Sequence, residues 1–154
     1  MIRKANYDDI PKIEELLEDI HRLHFTSRPD LFKDGISKFN KEEIKALIDS
    51  KDKPIYIYED GGKALGYAFI SYMTVKNKML EEIPYIFVED LCVDERYRSK
   101  GIGRALMDYI NNLAKKEGIE YIRLNVWNFN EKALKFYQDN GYSPLETIME
   151  KRVK

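Results

Sequence analysis

Arg98-Ser99-Lys100-Gly101-Ile102-Gly103-Arg104-Ala105 holds the residue types best suited to chemistry in this chain. A strand-like run, Val88-Glu89-Asp90-Leu91-Cys92-Val93, precedes it, and apolar residues at helical spacing follow from about residue 101 to 116. A helix that opens on a glycine-rich turn presents unpaired N–H groups and the positive end of its dipole. Gly101 and Gly103 carry no Cβ, so a phosphate can approach the main chain closely, and Arg98, Lys100 and Arg104 place cations around the same point. The chemistry this implies is pyrophosphate binding. The competing reading is an ordinary strand-to-helix turn with solvated basic residues. Two familiar phosphate loops do not fit. The Walker loop ends in Gly-Lys-Ser/Thr, whereas Gly103 is followed by Arg104 and Ala105, and the dinucleotide fingerprint needs a third glycine where Leu106 stands.

What remains is an Arg-x-x-Gly-x-Gly turn after a long strand. With Arg98, Gly101 and Gly103 in that order, it resembles the acetyl-CoA pyrophosphate motif, Gln/Arg-x-x-Gly-x-Gly/Ala, of the GCN5-related N-acetyltransferase (GNAT) superfamily. Leu91-Cys92-Val93-Asp94-Glu95-Arg96-Tyr97 is similar to the strand and connector that precede that motif. A second similar block is Asn125-Val126-Trp127-Asn128-Phe129-Asn130-Glu131-Lys132-Ala133-Leu134-Lys135-Phe136-Tyr137, closing on Asn140-Gly141-Tyr142. The resemblance is strongest over residues 84–145 and general before that. It implies a single N-acetyltransferase domain over residues 1–154, of α/β (α+β) class. The sheet would be mixed, mostly antiparallel and twisted, with about six to seven strands and about four flanking helices. Its strands ending near Val93 and Val126 would splay apart.

The same resemblance implies acetyl-CoA as cosubstrate and no metal. Backbone groups of Leu91, Cys92 and Val93 would hold the pantetheine arm in the splay, as if it were another strand. Arg98, Ser99, Lys100, Gly101, Ile102, Gly103 and Arg104 would hold the pyrophosphate. Direct transfer to an amine needs a deprotonated acceptor, a polarised thioester and a proton for the leaving thiolate, but no enzyme nucleophile. Tyr137 stands where this family commonly has its general acid, and a phenol with a pKa near ~10 can donate to the sulfur. Its alternative is packing beside Phe136. Asn130 can cap the helix it opens and also contact the cofactor. Glu89 and Asp90 lie next to one another on a strand, so only one can face the acceptor unless a bulge intervenes. Glu89 is the expected base, because an acidic pair before Leu-x-Val is similar to that of diamine and polyamine acetyltransferases.

Other residues read more plainly. His21 and His24 share a helix face and, with Arg28, can border the acceptor pocket, but no third ligand for a metal accompanies them. Cys92 reads as a small buried residue. Trp127 and Phe129 can line the thioester end, and closing the core beneath the last helix is the preferred reading. Glu81, Glu82, Glu89 and Asp90 make the region acidic, which favours a small cationic amine such as a polyamine. A peptide or protein amine, or a non-catalytic CoA-binding regulator, is the alternative.

Composition bounds these readings. The chain has 154 residues, enough for one substantial core, and its 44% hydrophobic and 34% charged residues suit a folded domain. A net charge of -1 argues against nucleic acid or a membrane surface as partner. The single Cys92 cannot form an internal disulfide, and no apolar leader or membrane span is evident, so a cytoplasmic setting is expected. Periodicity and turn residues predict strands over residues 2–5, 54–59, 65–75, 84–93, 121–126 and 143–152. They predict helices from residue 10, capped by Asp8 or Asp9, and over 41–49, 101–116 and 130–139. A homodimer using Tyr142 and Ile148 of the final strand is one further possibility.

Overall fold

The computed structural model describes residues 1–154. Its elements run β1 (Ile2–Lys4), α1 (Ile10–Ser27), α2 (Lys41–Asp49), β2 (Ile55–Asp60), β3 (Lys63–Thr74), β4 (Pro84–Val93), α3 (Ile102–Glu117), β5 (Tyr121–Leu124) and α4 (Glu131–Asp139). They form one five-stranded sheet in the order β1-β2-β3-β4-β5. Every neighbouring pair is antiparallel except β4 and β5, which are parallel and joined through α3. The class and the four helices are as expected. The strands number five rather than six to seven, β5 ends two residues before Val126, and residues 143–152 form no strand within this chain.

Each face of the sheet has its own core. On one side Ile10, Ile13, Leu16 and Leu17 of α1 and Ile44 of α2 pack on Ile55, Ile57, Tyr67, Phe69 and Cys92. On the other, Ile102, Leu106, Met107, Ile110 and Ala114 of α3 lie against Tyr56, Ala68, Ile70, Ile86 and Val88. The α3 residues recur every three or four positions, which gathers them on one stripe, and each large one contributes roughly 1.5–3 kcal/mol on burial. No helix is long and apolar enough to cross a membrane.

The start of α1 departs from expectation. Asp9 stands at the N-cap position but makes no capping bond. Its carboxylate is engaged by the Arg3 guanidinium at 2.8 and 2.9 Å and by the Asn6 amide at 2.8 Å. The charge that would have capped the helix instead ties it to β1.

A second ion network fixes α1 to the far end of β4. Asp94 is buried and accepts from Lys12 of α1, from the Arg96 side chain at 2.6 and 3.0 Å, and from the Arg96 amide at 3.0 Å. Arg96 foremost, with Lys12 beside it, holds this carboxyl well below the usual range. Its folded pKa thus lies below the ~3.9 of an unfolded aspartate. The stabilisation is fully present above that unfolded value and is lost as pH falls towards the folded one. We expect Asp94→Asn to cost about 1.5–3 kcal/mol at neutral pH and to flatten the acid limb of stability. Urea unfolding from pH 7 down to pH 3 measures both, and an unchanged acid limb would refute the assignment.

Candidate active site

β4 and β5 pair only from Tyr85 opposite Tyr121 to Val88 opposite Leu124. Beyond that point β4 continues to Val93 without a partner on this side, so the expected splay is present. Its geometry follows from the pairing with β3. The Asp94 amide donates to the Leu65 carbonyl at 2.9 Å, and the register sets Gly66 opposite Val93, Tyr67 opposite Cys92 and Ala68 opposite Leu91. Antiparallel strands alternate bonded and non-bonded pairs, so the main-chain groups of Cys92 face Tyr67, while those of Leu91 and Val93 turn away from β3. The Leu91 N–H is taken by Asp90 Oδ1 at 3.0 Å and the Val93 carbonyl by Arg98, which leaves the Leu91 carbonyl and the Val93 N–H for the splay. Cys92 therefore differs from its two neighbours. Its thiol is buried against α1, 3.7 Å from the Leu16 carbonyl, and burial pushes its pKa up to about 12. A thiol so placed is no nucleophile. Gly66 permits this strand approach, since a Cβ there would sit 2.9 Å from the Cys92 carbonyl oxygen.

The phosphate-type turn lies at the end of the same strand. Ser99 (φ 62°) and Gly101 (φ 80°) are both left-handed. Main-chain bonding skips the turn. Arg98 donates to the Glu95 carbonyl and Ala105 to the Gly101 carbonyl at 2.9 Å, but no N–H from Ser99 to Arg104 has an acceptor in the protein. Gly101, the N-cap of α3, adds no side-chain cap. Converging free donors at the positive end of a four-turn helix suit a diphosphate. The two glycines do different work. Nothing lies within 4 Å of a Cβ built on Gly101, which leaves the turn's outer surface clear. A Cβ on Gly103 would meet the Phe136 ring at 3.2 Å, so this glycine lets α3 approach α4. Arg98 hooks back to the Val93 carbonyl through Nε at 3.1 Å, Lys100 lies over the Tyr97 ring at 5.2 Å, and Arg104 is exposed.

A β-bulge decides the acid pair. The β3–β4 register runs Phe69 opposite Asp90, then Ile70 opposite Val88, leaving Glu89 as the extra residue. One inserted residue reverses the alternation of faces. Glu89 and Asp90 consequently share the α1/α2 side. Ser71 Oγ donates to Glu89 Oε1 at 3.1 Å, and Tyr67 Oη donates to Asp90 Oδ2 at 2.9 Å. The expectation that only one carboxylate could face the acceptor is thus corrected by its own stated exception. Withdrawal from water lifts Asp90 above the usual carboxylate range, against the opposing pull of Lys38, the Tyr67 hydroxyl and the Leu91 amide. Glu89 lines a cleft of about 380 Å³ together with Lys38, Phe39, Lys53, Phe69 and Ser71.

Tyr137 sits on α4, edge-on to Phe136 at 5.2 Å and to Tyr142 at 5.8 Å between ring centres. Burial raises its phenol well above the ordinary value, and the negative charge of Asp90 adds to the shift. The hydroxyl therefore keeps its proton at neutral pH. Asn130 caps α4, its Oδ1 accepting from the Ala133 amide at 3.2 Å. The residues beyond β5 lie elsewhere than under α4. Trp127 stacks on Phe129 at 5.8 Å and meets Phe32 edge-on at 5.1 Å, and His24 stacks on Phe32 at 5.0 Å. They form an aromatic wall that joins the end of α1 to the loop after β5. Burial lowers the pKa of His24, with His21 and Lys38 adding to the effect. No cluster of His, Cys, Asp or Glu is suited to a metal ion.

Sequence reasoning missed Tyr67, Ser71 and Phe32. Tyr67 and Ser71 carry no local signal, because what selects them is the pairing register. Pro29 and Gly35, on either side of Phe32, gave only a loop.

Comparison with known proteins agrees with this geometry. The family model described as "Acetyltransferase (GNAT) family" matches residues 13–142. The chain is 29% identical over 141 residues to the uncharacterized N-acetyltransferase YhfO of Bacillus subtilis, covering 92% of this chain and 88% of that one. It is 30% identical over 157 residues to the thialysine N-epsilon-acetyltransferase of Bos taurus, covering 94% and 85%. Among solved structures, the tetramutant of the BH1408 protein from Bacillus halodurans superimposes with a TM-score of 0.94 at 26% identity, over 99% of each chain.

Proposed function

This chain belongs to the acetyltransferase (GNAT) family, and from that premise we propose that it acetylates the primary amine of a small cationic molecule, such as a polyamine. It is an acetyl-CoA-dependent N-acetyltransferase, and the acetyl-CoA thioester supplies the activated acyl group. The observation that carries the reading is the splay itself. The β4–β5 pairing stops at Val88 and Leu124, and the Leu91 carbonyl and Val93 N–H, which have no partner in the chain, lead down to the free amides of residues 99–104. A long cofactor with amides in its arm and a diphosphate at its end matches that array of donors and acceptors.

In this reading Leu91 and Val93 orient the arm. The amides from Ser99 to Arg104 hold the diphosphate, with Ile102 fixing the helix start by its burial and the side chains of Lys100 and Arg104 adding positive charge. Cys92 contributes by packing alone, and Arg98 braces the turn against the strand end. Asn130 sets the start of α4 and so the position of Tyr137. The Tyr137 hydroxyl holds the proton destined for the departing sulfur. Glu89, which lines the cleft and has Asp90 on the same face of the sheet, takes the proton from the acceptor's ammonium, directly or through water. The Glu89 carboxylate offers an ammonium a counter-charge in a cleft that Lys38 and Lys53 also line, with the Phe39 and Phe69 rings as its apolar wall. That the bovine relative is named for thialysine, a small amine, supports this acceptor class.

The test is an acetyl-CoA consumption screen over polyamines, lysine analogues, aminoglycosides and peptide amines. Turnover confined to peptides would overturn the small-amine reading. Tight CoA binding without turnover on any amine would favour a regulator. With a good acceptor in hand, Glu89→Gln should lower kcat/KM by about 10²-fold. Asp90→Asn should instead move the acid limb of the pH profile to lower pH, because Asp90 titrates above the usual carboxylate range. Identical profiles for the wild type and both variants would remove the carboxylates from the chemistry.

A further inference from the structure

The cleft beside Glu89 carries more positive than negative charge. Among its lining residues Glu89 is the one carboxylate, while Lys38 and Lys53 supply two cations. Neither lysine is in an ion pair. The Lys38 ammonium donates to the Glu89 main-chain carbonyl at 2.6 Å. Lys53 donates only through its main-chain amide, to Ser50 Oγ at 3.2 Å, so its ammonium is free.

The sheet fixes where that free ammonium starts. Lys53 lies just before β2, yet the pairing with β3 continues through it. The Tyr72 amide donates to the Asp52 carbonyl at 3.0 Å and the Ile70 amide to the Pro54 carbonyl at 3.2 Å. These bonds extend the register of Ile55 opposite Phe69 and set Lys53 opposite Ser71. Opposed residues of an antiparallel pair share a face, and in this non-bonded pair the side chains lie closest. Ser71 also stands opposite Phe87 and holds Glu89 Oε1 at 3.1 Å. Lys53 and Glu89 therefore flank β3 on one face of the sheet, their main chains two strand spacings, about 10 Å, apart. The ground between them is apolar, with Phe39 stacked on Phe69 at 5.3 Å.

We propose that the acetyl acceptor is an amine that also bears an acid group, held by Lys53 while Glu89 takes the amine. An acid group against the free ammonium makes a charge-assisted hydrogen bond, the stronger kind. A diamine or polyamine would instead bring a second ammonium among two lysines, where like charges repel. An amine and an acid joined by a short hydrocarbon chain satisfy Glu89, Lys53 and the ring wall together. Lys38, tied to the Glu89 carbonyl, adds to the positive field around the acid. An amino acid with an amine in its side chain meets these terms and keeps a net positive charge. The inference rests on the small-amine reading above and narrows it.

Free lysine and cadaverine share one carbon chain and differ only in the carboxylate, as do ornithine and putrescine. Each diamino acid should exceed its diamine in kcat/KM by about 10- to 100-fold, the effect of one charge-assisted hydrogen bond. Lys53→Met should erase that preference by raising KM for the diamino acid, and Lys53→Arg should retain it. Lys53 is exposed, so neither change touches a core. A diamine that equals its diamino acid would overturn the acid-bearing acceptor and leave the small-amine reading standing. So would a Lys53→Met enzyme with the preference intact, or failure of both diamino acids where another small amine turns over. Absence of turnover on every small amine would overturn both readings.

Discussion

Replacing Tyr137 by Phe is expected to lower kcat/KM by roughly 10²-fold to 10⁴-fold, the range for loss of a general acid, with little change in acetyl-CoA affinity. The separation of the two effects follows from the surroundings of the ring. Its contacts with Phe136 and Tyr142 are ring-to-ring and survive the change. The hydroxyl makes no hydrogen bond within the protein, so its removal leaves no buried partner unsatisfied and the fold is expected to hold. In the proposed mechanism, what disappears is the proton for the leaving sulfur. Because burial and Asp90 keep the phenol protonated far above neutrality, the wild type should show no loss of activity from Tyr137 ionisation between pH 7 and pH 9. Steady-state thiol release across pH gives the rate, and calorimetric titration with acetyl-CoA gives the affinity. A Phe variant with full turnover would make Tyr137 a packing residue and pass the proton to water.

Gly101→Val should weaken acetyl-CoA binding by about 10- to 100-fold, equivalent to losing one or two charge-assisted hydrogen bonds. Two causes act together. The position is left-handed at φ 80°, where a side chain costs about 1–2 kcal/mol, so the turn that aims the amides of residues 99–104 would relax. The new side chain would also stand on the clear outer surface where the proposed function puts the diphosphate. Nothing within 4 Å of the Cβ is displaced, so the cores should be intact. Gly103→Ala makes the contrast. Its Cβ points at Phe136 rather than at the ligand, so the cost should appear in thermal stability more than in affinity. Equal affinities for the wild type and Gly101→Val would remove the turn from cofactor binding, and with it the main support for the splay as an acetyl-CoA site.

These two sites differ in how they could be known. The turn was legible because its chemistry is local: Arg98, Gly101 and Gly103 specify a left-handed, donor-rich helix start from a few consecutive residues. The faces of α1 and α3 were legible for the same reason, since a 3.6-residue period is written into consecutive positions. Asn130 as a cap and Cys92 as a buried thiol also followed from residue type and neighbours. The roles of Gly101 and Gly103 did not separate in the sequence, because Phe136 stands 33 residues away from Gly103 and only packing brings it there.

The acid pair shows the limit most clearly. Alternation along β4 predicts opposite faces for Glu89 and Asp90, and that rule holds only while the register with β3 is unbroken. The bulge at Glu89 is a property of two strands about twenty residues apart, with no glycine in β4 to announce it. The aromatic wall of His24, Phe32, Trp127 and Phe129 likewise joins segments a hundred residues apart. Residues 143–152 mark a third case. The expected strand there is absent: residue types alone do not make a strand, and residues 143–152 pair with no edge although β5 leaves one open. By itself the sequence determined the glycine turn that opens α3, the helix faces and the family. Tertiary structure alone decided that Glu89 and Asp90 share a sheet face, which segments the aromatic wall joins and that residues 143–152 pair with no strand, because those outcomes depend on pairing between distant residues rather than on the preferences of neighbours.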